Sequence, residues 1–289
     1  MIDTVHEHAE SSSTIKRLKW LPQRWYAHII LWLACFFLGV PLFYALVVST
    51  QTRREVNRHE ILPGSGLVDN WDVVFEQRNL QDYMVNSAIM TVAITIGKTI
   101  LSLLAGLAFV YFRFPGKWLV FGFVLITLMM PTEVLIIALF RLVNQLEWDN
   151  TYLALIVPFL ASATGSFLFR QHFSNIPAEL SEAAQLDGAN PLQFLFRVLV
   201  PMSWNTIGAL AVVQCIYAWN MYLWPNMIIS DAKLEVVQVG IGTLRAGEGG
   251  GIQYGPLMLG AVVASIPPLL VFILLQKQFM SGFALSRDK

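Results

Sequence analysis

Two ionisable residues, Lys98 and Glu133, stand inside long apolar runs, and Tyr217, Trp219, Asn220, Tyr222 and Trp224 set an amide among aromatic faces. A lysine in apolar surroundings either recognises an anion or is held by a neighbouring carboxylate that ties helices together. On the residues alone both options stay open for Lys98: contact with a phosphate-bearing ligand, or pairing with Glu133 or snorkelling. Polyols stack on aromatic rings and hydrogen-bond to amides, so Tyr217, Trp219 and Asn220 are candidates for a ligand path. Tyr222 and Trp224 fit the interfacial belt of a membrane helix equally well. Covalent chemistry is poorly supplied. Gly97-Lys98-Thr99 resembles the end of a phosphate-binding loop, but Val92 stands where the first glycine belongs and the flanks are apolar helix. The run Gly247-Glu248-Gly249-Gly250-Gly251 follows no strand and is completed by no lysine, so it reads as a flexible outward turn. Gly165-Ser166 lacks the rest of a nucleophile pattern, no His-Glu-x-x-His occurs, and the histidines share no helical face for a metal.

The elements that must position these residues follow from the composition. At 56% hydrophobic and 13% charged over 289 residues, with a mean hydropathy of +0.58, the chain has too little polar surface for a water-soluble globule. Its 19 basic residues balance 19 acidic ones, which removes the bulk field that would favour nucleic acid. Cys35 and Cys215 sit in apolar runs and read as small packing residues. A helix needs roughly 20 apolar residues to cross hydrocarbon. Six segments qualify, at about 28–50, 83–111, 118–143, 152–173, 205–229 and 256–279. The expectation is therefore an all-α membrane protein in a single domain over 1–289, with 1–27 a tail too long and acidic for a cleaved signal's basic start, so that the first span is retained as a membrane helix. Six spans place both termini on one side. That side carries eleven of the Lys and Arg residues, against seven on the other and Lys98 within a span, which predicts cytoplasmic termini. Interior prolines at 41, 131, 158, 225, 267 and 268 predict kinks.

Between the fourth and fifth spans, 174–204 breaks the apolar pattern with a polar module on the cytoplasmic side. Pro177 suits a first helical turn, Gly188 a left-handed stop, and Asn190-Pro191 an N-cap followed by proline at the first position of a second helix, which Pro201 closes. The first helix puts Ile176, Leu180, Ala183 and Ala184 at helical spacing, with Glu179 and Glu182 in its early turns. Physics alone leaves two readings, a docking hairpin for a soluble partner or an amphipathic hairpin lying on headgroups.

The string Glu182-Ala183-Ala184-Gln185-Leu186-Asp187-Gly188-Ala189, with its aromatic and closing Pro201, resembles the EAA loop of permease subunits of ATP-binding cassette importers. The likeness extends to Asn86-Ser87, Arg113-Phe114-Pro115-Gly116, Asn150-Thr151-Tyr152, Trp219-Asn220, Trp224-Pro225 and Gln276-Lys277, and is greatest to carbohydrate importers of the maltose type. Ser166 to Gln171, Tyr222 to Pro225 and Gly282 to Leu285 are similar to the smaller permease of sn-glycerol-3-phosphate importers. The resemblance implies a type I importer transmembrane domain in a bacterial inner membrane. It also implies a second permease subunit, two ATPase subunits that bind ATP and Mg, and an extracytoplasmic substrate-binding protein, with no cofactor in this chain. Glu182, Ala183, Ala184, Asp187, Gly188 and Ala189 would then couple to the ATPase, and Lys98, Glu133, Tyr217, Trp219 and Asn220 would belong to the pathway. A maltose-type oligosaccharide is the alternative cargo, and a secondary transporter or channel the alternative class.

Overall fold

The computed structural model describes residues 25–245 and 251–284, without the side chains of Thr132, Glu133, Phe283 and Ala284. The tail cations Lys16, Arg17, Lys19 and Arg24, the glycines from Gly247 to Gly250, and Leu285, Arg287 and Lys289 lie outside the described residues.

The chain divides into two units, Met1–Tyr44 and Ala45–Lys289. What is described of the first is most of one helix, α1 (Trp25–Ser49), apolar on every side. Trp32 and Phe37 are each 77% exposed within it, a surface suited to hydrocarbon.

The second unit begins where the end of α1 becomes buried at Val47 and Val48. Helix α2 (Arg53–Asn57) starts in a capping box between Thr52 and Glu55, and α3 (Leu67–Trp71) widens into a π-helical turn over Asp72–Gln77. Buried Asn70 fixes this segment, its Nδ2 donating to the carbonyls of Ser49 and Gln51 at 2.9 and 3.0 Å. The central post is α4 (Leu80–Tyr111), whose 32 residues exceed the requirement for a span. After α5 (Lys117–Leu128) and α6 (Thr132–Gln145) come α7 (Tyr152–Ile156) with a 3₁₀ turn at Val157–Phe159, then α8 (Ala163–Ser174). The polar module supplies α9 (Ala178–Leu186), α10 (Pro191–Phe194), a π-helical stretch Leu195–Leu199 and α11 (Val200–Met202). Helix α12 (Trp204–Trp219), α13 (Leu223–Ile228), α14 (Val237–Thr243) and α15 (Tyr254–Ala284) complete the unit. No strand occurs among the described residues.

Three expected spans are broken. The stretch 118–143 becomes α5 and α6, because Pro131 disfavours helical backbone at Met130 and starts the next helix in extended conformation. The stretch 152–173 bends by 41° before α8, where Ser162 Oγ accepts the amide of Gly165 at 3.0 Å. The stretch 205–229 stops at Trp219 and resumes at Leu223. Among the described residues, three helices alone are long and apolar enough to cross a membrane, and five if each bent pair counts as one span. Pro267 and Pro268, by contrast, lie within a continuous α15. Nor does Pro201 close the module's second helix. The helix widens over Leu195–Leu199, which accommodates the missing proline donor, and runs to Met202 before an 82° bend at Ser203.

Close approaches at glycines hold the bundle, those at Gly106 and Gly282 among them. A Cβ at Gly106 of α4 would lie 2.7 Å from Phe169 Cβ and 3.1 Å from Phe173 Cδ2 of α8. At Gly282 of α15 it would lie 2.7 Å from Ala209 Cβ of α12. Small residues allow this contact where lipid supplies no hydrophobic drive. Gly106→Ala is expected to separate α4 from α8 and destabilise the subunit by about 1–3 kcal/mol, the usual range for overpacking. A lowered thermal midpoint of the detergent-solubilised protein checks it, and an unchanged midpoint refutes the tight-seam reading.

Candidate functional site

The polar module is a hairpin made by local hydrogen bonding. Helix α9 ends with Gly188 at φ +71°, the Gly188 amide donating to Gln185 O at 3.0 Å and the Ala189 amide to Ala184 O at 2.9 Å. This is the Schellman stop, which requires a left-handed residue where glycine sits. Asn190 then caps α10: its Oδ1 accepts from Gln193 N at 2.8 Å and its amide donates to Gln193 Oε1 at 3.0 Å. Seating is through the second helix, whose Phe194 meets Tyr111 edge-on at 5.1 Å while Leu195 and Leu199 join the core of α4 and α8.

No residue of α9 is buried, and Glu182, Ala183, Asp187 and Gly188 are exposed. Ala184 and Ala189 are half-buried. The face turned inward is half the expected one: Ile176 and Ala184 pack against the core of α4 and α8. Ser181, Ala184 and Gln185 look across a groove of about 210 Å³ toward Leu107, Tyr111 and Phe112, whereas Leu180 and Ala183 are exposed. Leu186, which sequence reasoning did not single out, is 89% exposed at the tip. Its signal was an apolar residue immediately before Asp187-Gly188, off the face assigned to packing.

Lys98 lies between α4 and α12, 8% exposed, its Nζ donating to Gln214 Oε1 at 3.0 Å and standing 4.6 Å from the Tyr217 ring centroid. Gln214 Nε2 in turn donates to Ser162 Oγ at 3.5 Å, at the break before α8. Three helices thus meet around one ammonium. Its companions are a neutral amide and an aromatic face, and no carboxylate lies within 4.0 Å among the described residues. The side chain of Glu133, in the first turn of α6, lies outside the described residues. Gln214 and Ser162 were not anticipated; a glutamine inside an apolar run was the available signal.

Tyr217 connects this polar core to a cavity of about 420 Å³ lined by Ile136, Leu139, Phe159, Tyr217, Asn220 and Tyr222, among others. Tyr217 and Asn220 are exposed toward it. Asn220 Nδ2 donates to Ile216 O at 2.8 Å and its Oδ1 accepts from Gln238 at 3.2 Å, leaving one N–H and one lone pair free for a ligand. Trp219 is placed elsewhere: 4% exposed, it donates from Nε1 to Ala264 O at 3.0 Å and fastens α12 to α15. Trp224 is no belt residue either, being 2% exposed, bonded through Nε1 to Ala154 O at 2.9 Å and packed on Phe159.

Asn86, Ser87 and Asn150, three of the other family-like residues, fasten loops. Asn86 Nδ2 donates to the carbonyls of Lys233 and Glu235 at 2.8 and 2.9 Å, while its Oδ1 accepts from Tyr152 at 2.6 Å. Ser87 Oγ accepts Val237 N at 2.8 Å. Asn150, at φ 52°, accepts the amides of Ser230 and Asp231 at 2.6 and 3.0 Å. The segment linking α13 to α14 is therefore bound to α4 and to the turn before α7.

Comparison with known proteins places these features in context. Residues 98–283 match the family described as binding-protein-dependent transport system inner membrane component. A relative from Brucella suis biovar 1, named sn-glycerol-3-phosphate transport system permease protein UgpE, is 38% identical over 264 residues, covering 88% of this chain and 94% of its own. The protein of that name from Salmonella typhi is 38% identical over 266 residues, covering 89% and 94%. Among solved structures, a bacterial ABC transporter involved in importing the acidic polysaccharide alginate superposes with a TM-score of 0.78 at 20% identity, covering 88% of this chain and 95% of that one. The alginate transporter in complex with its pentasaccharide-bound periplasmic protein gives 0.60 at 14% identity, covering 86% and 91%. At these identities the structural likeness speaks for the fold.

Proposed function

Because the chain belongs to the binding-protein-dependent transport system inner membrane components, it is a multi-pass membrane permease subunit of an ATP-driven importer, and we propose that its cargo is sn-glycerol-3-phosphate or a related glycerophosphodiester. The observation that carries the cargo is the 38% identity, over 88% of the chain, to a permease named for that substrate. The chemistry of the polar core agrees with it. A buried ammonium without a carboxylate partner among the described residues, one ring away from a cavity with an amide and a phenol, suits a ligand that is anionic at one end and a polyol at the other.

In this reading the chain is non-catalytic, and ATP with Mg binds to two partner ATPase subunits. A second, related permease completes the pathway as a heterodimer, and an extracytoplasmic binding protein delivers the cargo. Both termini and the α9–α10 hairpin face the cytoplasm. Closure of the ATPases pushes on the exposed surface from Glu182 to Ala189, and the seated second helix passes the movement to α4, α8 and α12. The breaks before α8 and after α12 are where the bundle bends in response.

The test is uptake of labelled sn-glycerol-3-phosphate in cells lacking their own importer, expressing this chain with its partner subunits. Saturable uptake that disappears when the ATPase is omitted is expected. Uptake of a maltose-type sugar with none of the phosphate would reassign the cargo, and ATPase-independent uptake would overturn the class.

A further inference from the structure

The loop joining α4 to α5 and the first turn of α5 enclose a cleft of about 360 Å³ lined by Arg113, Phe114, Gly116, Lys117, Trp118 and Leu119. Its charge has one sign. Arg113 is exposed, with no side-chain hydrogen bond or ion pair among the described residues. Lys117 Nζ donates to the carbonyls of Phe112 at 3.0 Å and Val110 at 3.4 Å, and among the described residues no carboxylate pairs with it. Arg170 adds a third cation on the far flank of α5, stacked 4.3 Å from Phe121 and 5.1 Å from Trp118. Residues 112–116, α5 and α8 contain no Asp or Glu. Helix α5 begins after Gly116 at φ +74° with no side-chain cap, so its first amides open toward the same cleft end.

An apolar track leads away from the cations. Leu119, Phe123 and Ile126, at the i, i+4, i+7 spacing of one helix face, are 81%, 66% and 62% exposed. A charged cleft at the end of an apolar helix, continuous with an exposed apolar stripe along that helix, has the shape and polarity of a phospholipid: anionic head at the boundary, acyl chain down the helix. We propose that Arg113 to Leu119 bind the phosphate headgroup of an anionic phospholipid, with an acyl chain lying on Leu119, Phe123 and Ile126. Basic pockets between membrane helices recognise such headgroups. The site lies on the membrane face that carries the docking hairpin, because Tyr111, at the end of α4, also seats Phe194.

The test uses the complete importer, purified in detergent, incubated with mixed phosphatidylglycerol and phosphatidylcholine, and separated before retained lipid is measured by mass spectrometry. Arg113→Gln with Lys117→Gln keeps a donor for Phe112 O while removing both charges. The double variant is expected to lose retained phosphatidylglycerol by about fivefold or more, the order set by one cation at an anionic surface, with phosphatidylcholine unchanged. Lys277→Gln, an exposed cation of α15 outside the cleft, is expected to retain wild-type amounts. Equal loss in Lys277→Gln would reduce the effect to general surface attraction and overturn the site. So would unchanged retention in the double variant, or full displacement of the lipid by excess inorganic phosphate. If the double variant does not assemble, Arg113→Gln alone decides, since that side chain bonds nothing among the described residues.

Discussion

Replacing Gly188 by proline is expected to reduce uptake by on the order of a hundredfold, the upper end of measured coupling energies, while the importer still assembles and hydrolyses ATP. Proline fixes φ near −65°, but the residue at 188 stands at +71° and its amide donates to Gln185 O at 3.0 Å. Both features of the helix stop disappear, so α9 can no longer present Glu182 to Asp187 in one orientation relative to α10. Assembly is spared because α9 buries no residue and the hairpin is seated through Phe194, Leu195 and Leu199. Two further substitutions grade the effect. A Cβ at 188 meets nothing within 4 Å, so Gly188→Ala adds only the left-handed penalty, about 1–2 kcal/mol, and Gly188→Asn less still. Uptake should therefore fall in the order Gly, Asn, Ala, Pro, with ATP hydrolysis retained throughout. Wild-type uptake in Gly188→Pro would refute the coupling role of the hairpin.

The hairpin was legible because every interaction that shapes it is local. Gly188, Asn190, Pro191 and Gln193 act on backbone groups within five residues, and capping chemistry depends on residue type and spacing alone. Its inward face was legible only for Ile176 and Ala184, because packing against Leu107 and Tyr111 is set by residues some seventy positions earlier. Hydropathy found apolar segments and could not find breaks within them. Asn220 ends α12 with no proline at the break, while Pro225 sits inside α13 and Pro267-Pro268 inside α15. A proline's missing donor matters only where no neighbour or local widening accommodates it. Aromatics were ambiguous for a related reason: whether an indole meets headgroups or a carbonyl is decided by where Ala154 and Ala264 come to lie. The polar core was half legible, since Lys98 announced itself and its partner, 116 residues away, did not.

That partner gives the second large effect. Gln214→Leu is expected to destabilise the subunit by about 2–4 kcal/mol, because it leaves a buried ammonium without its acceptor. Lys98→Met is expected to cost less, about 1–2 kcal/mol, since it removes the buried charge and leaves a neutral amide oxygen of Gln214 without its donor. The double variant should then resemble Lys98→Met, with a coupling energy of at least about 2 kcal/mol between sites on α4 and α12. Thermal midpoints and assembled yields in detergent measure the cycle. Additive effects, or a Gln214→Leu protein as stable as wild type, would mean that Lys98 has another partner. Transport separates structure from recognition. If Lys98 attracts the phosphate, Lys98→Met and the double variant share a half-saturation concentration for sn-glycerol-3-phosphate raised about tenfold or more, the scale of one charge-assisted contact. If Lys98 only joins α4 to α12, both variants transport with wild-type affinity once their folding is equal. A cation with no carboxylate partner among the described residues is costly to keep in a membrane helix. On the proposed function, an anionic cargo passing the Tyr217 side of the cavity would give that cost a function, and the half-saturation measurement is where it would show.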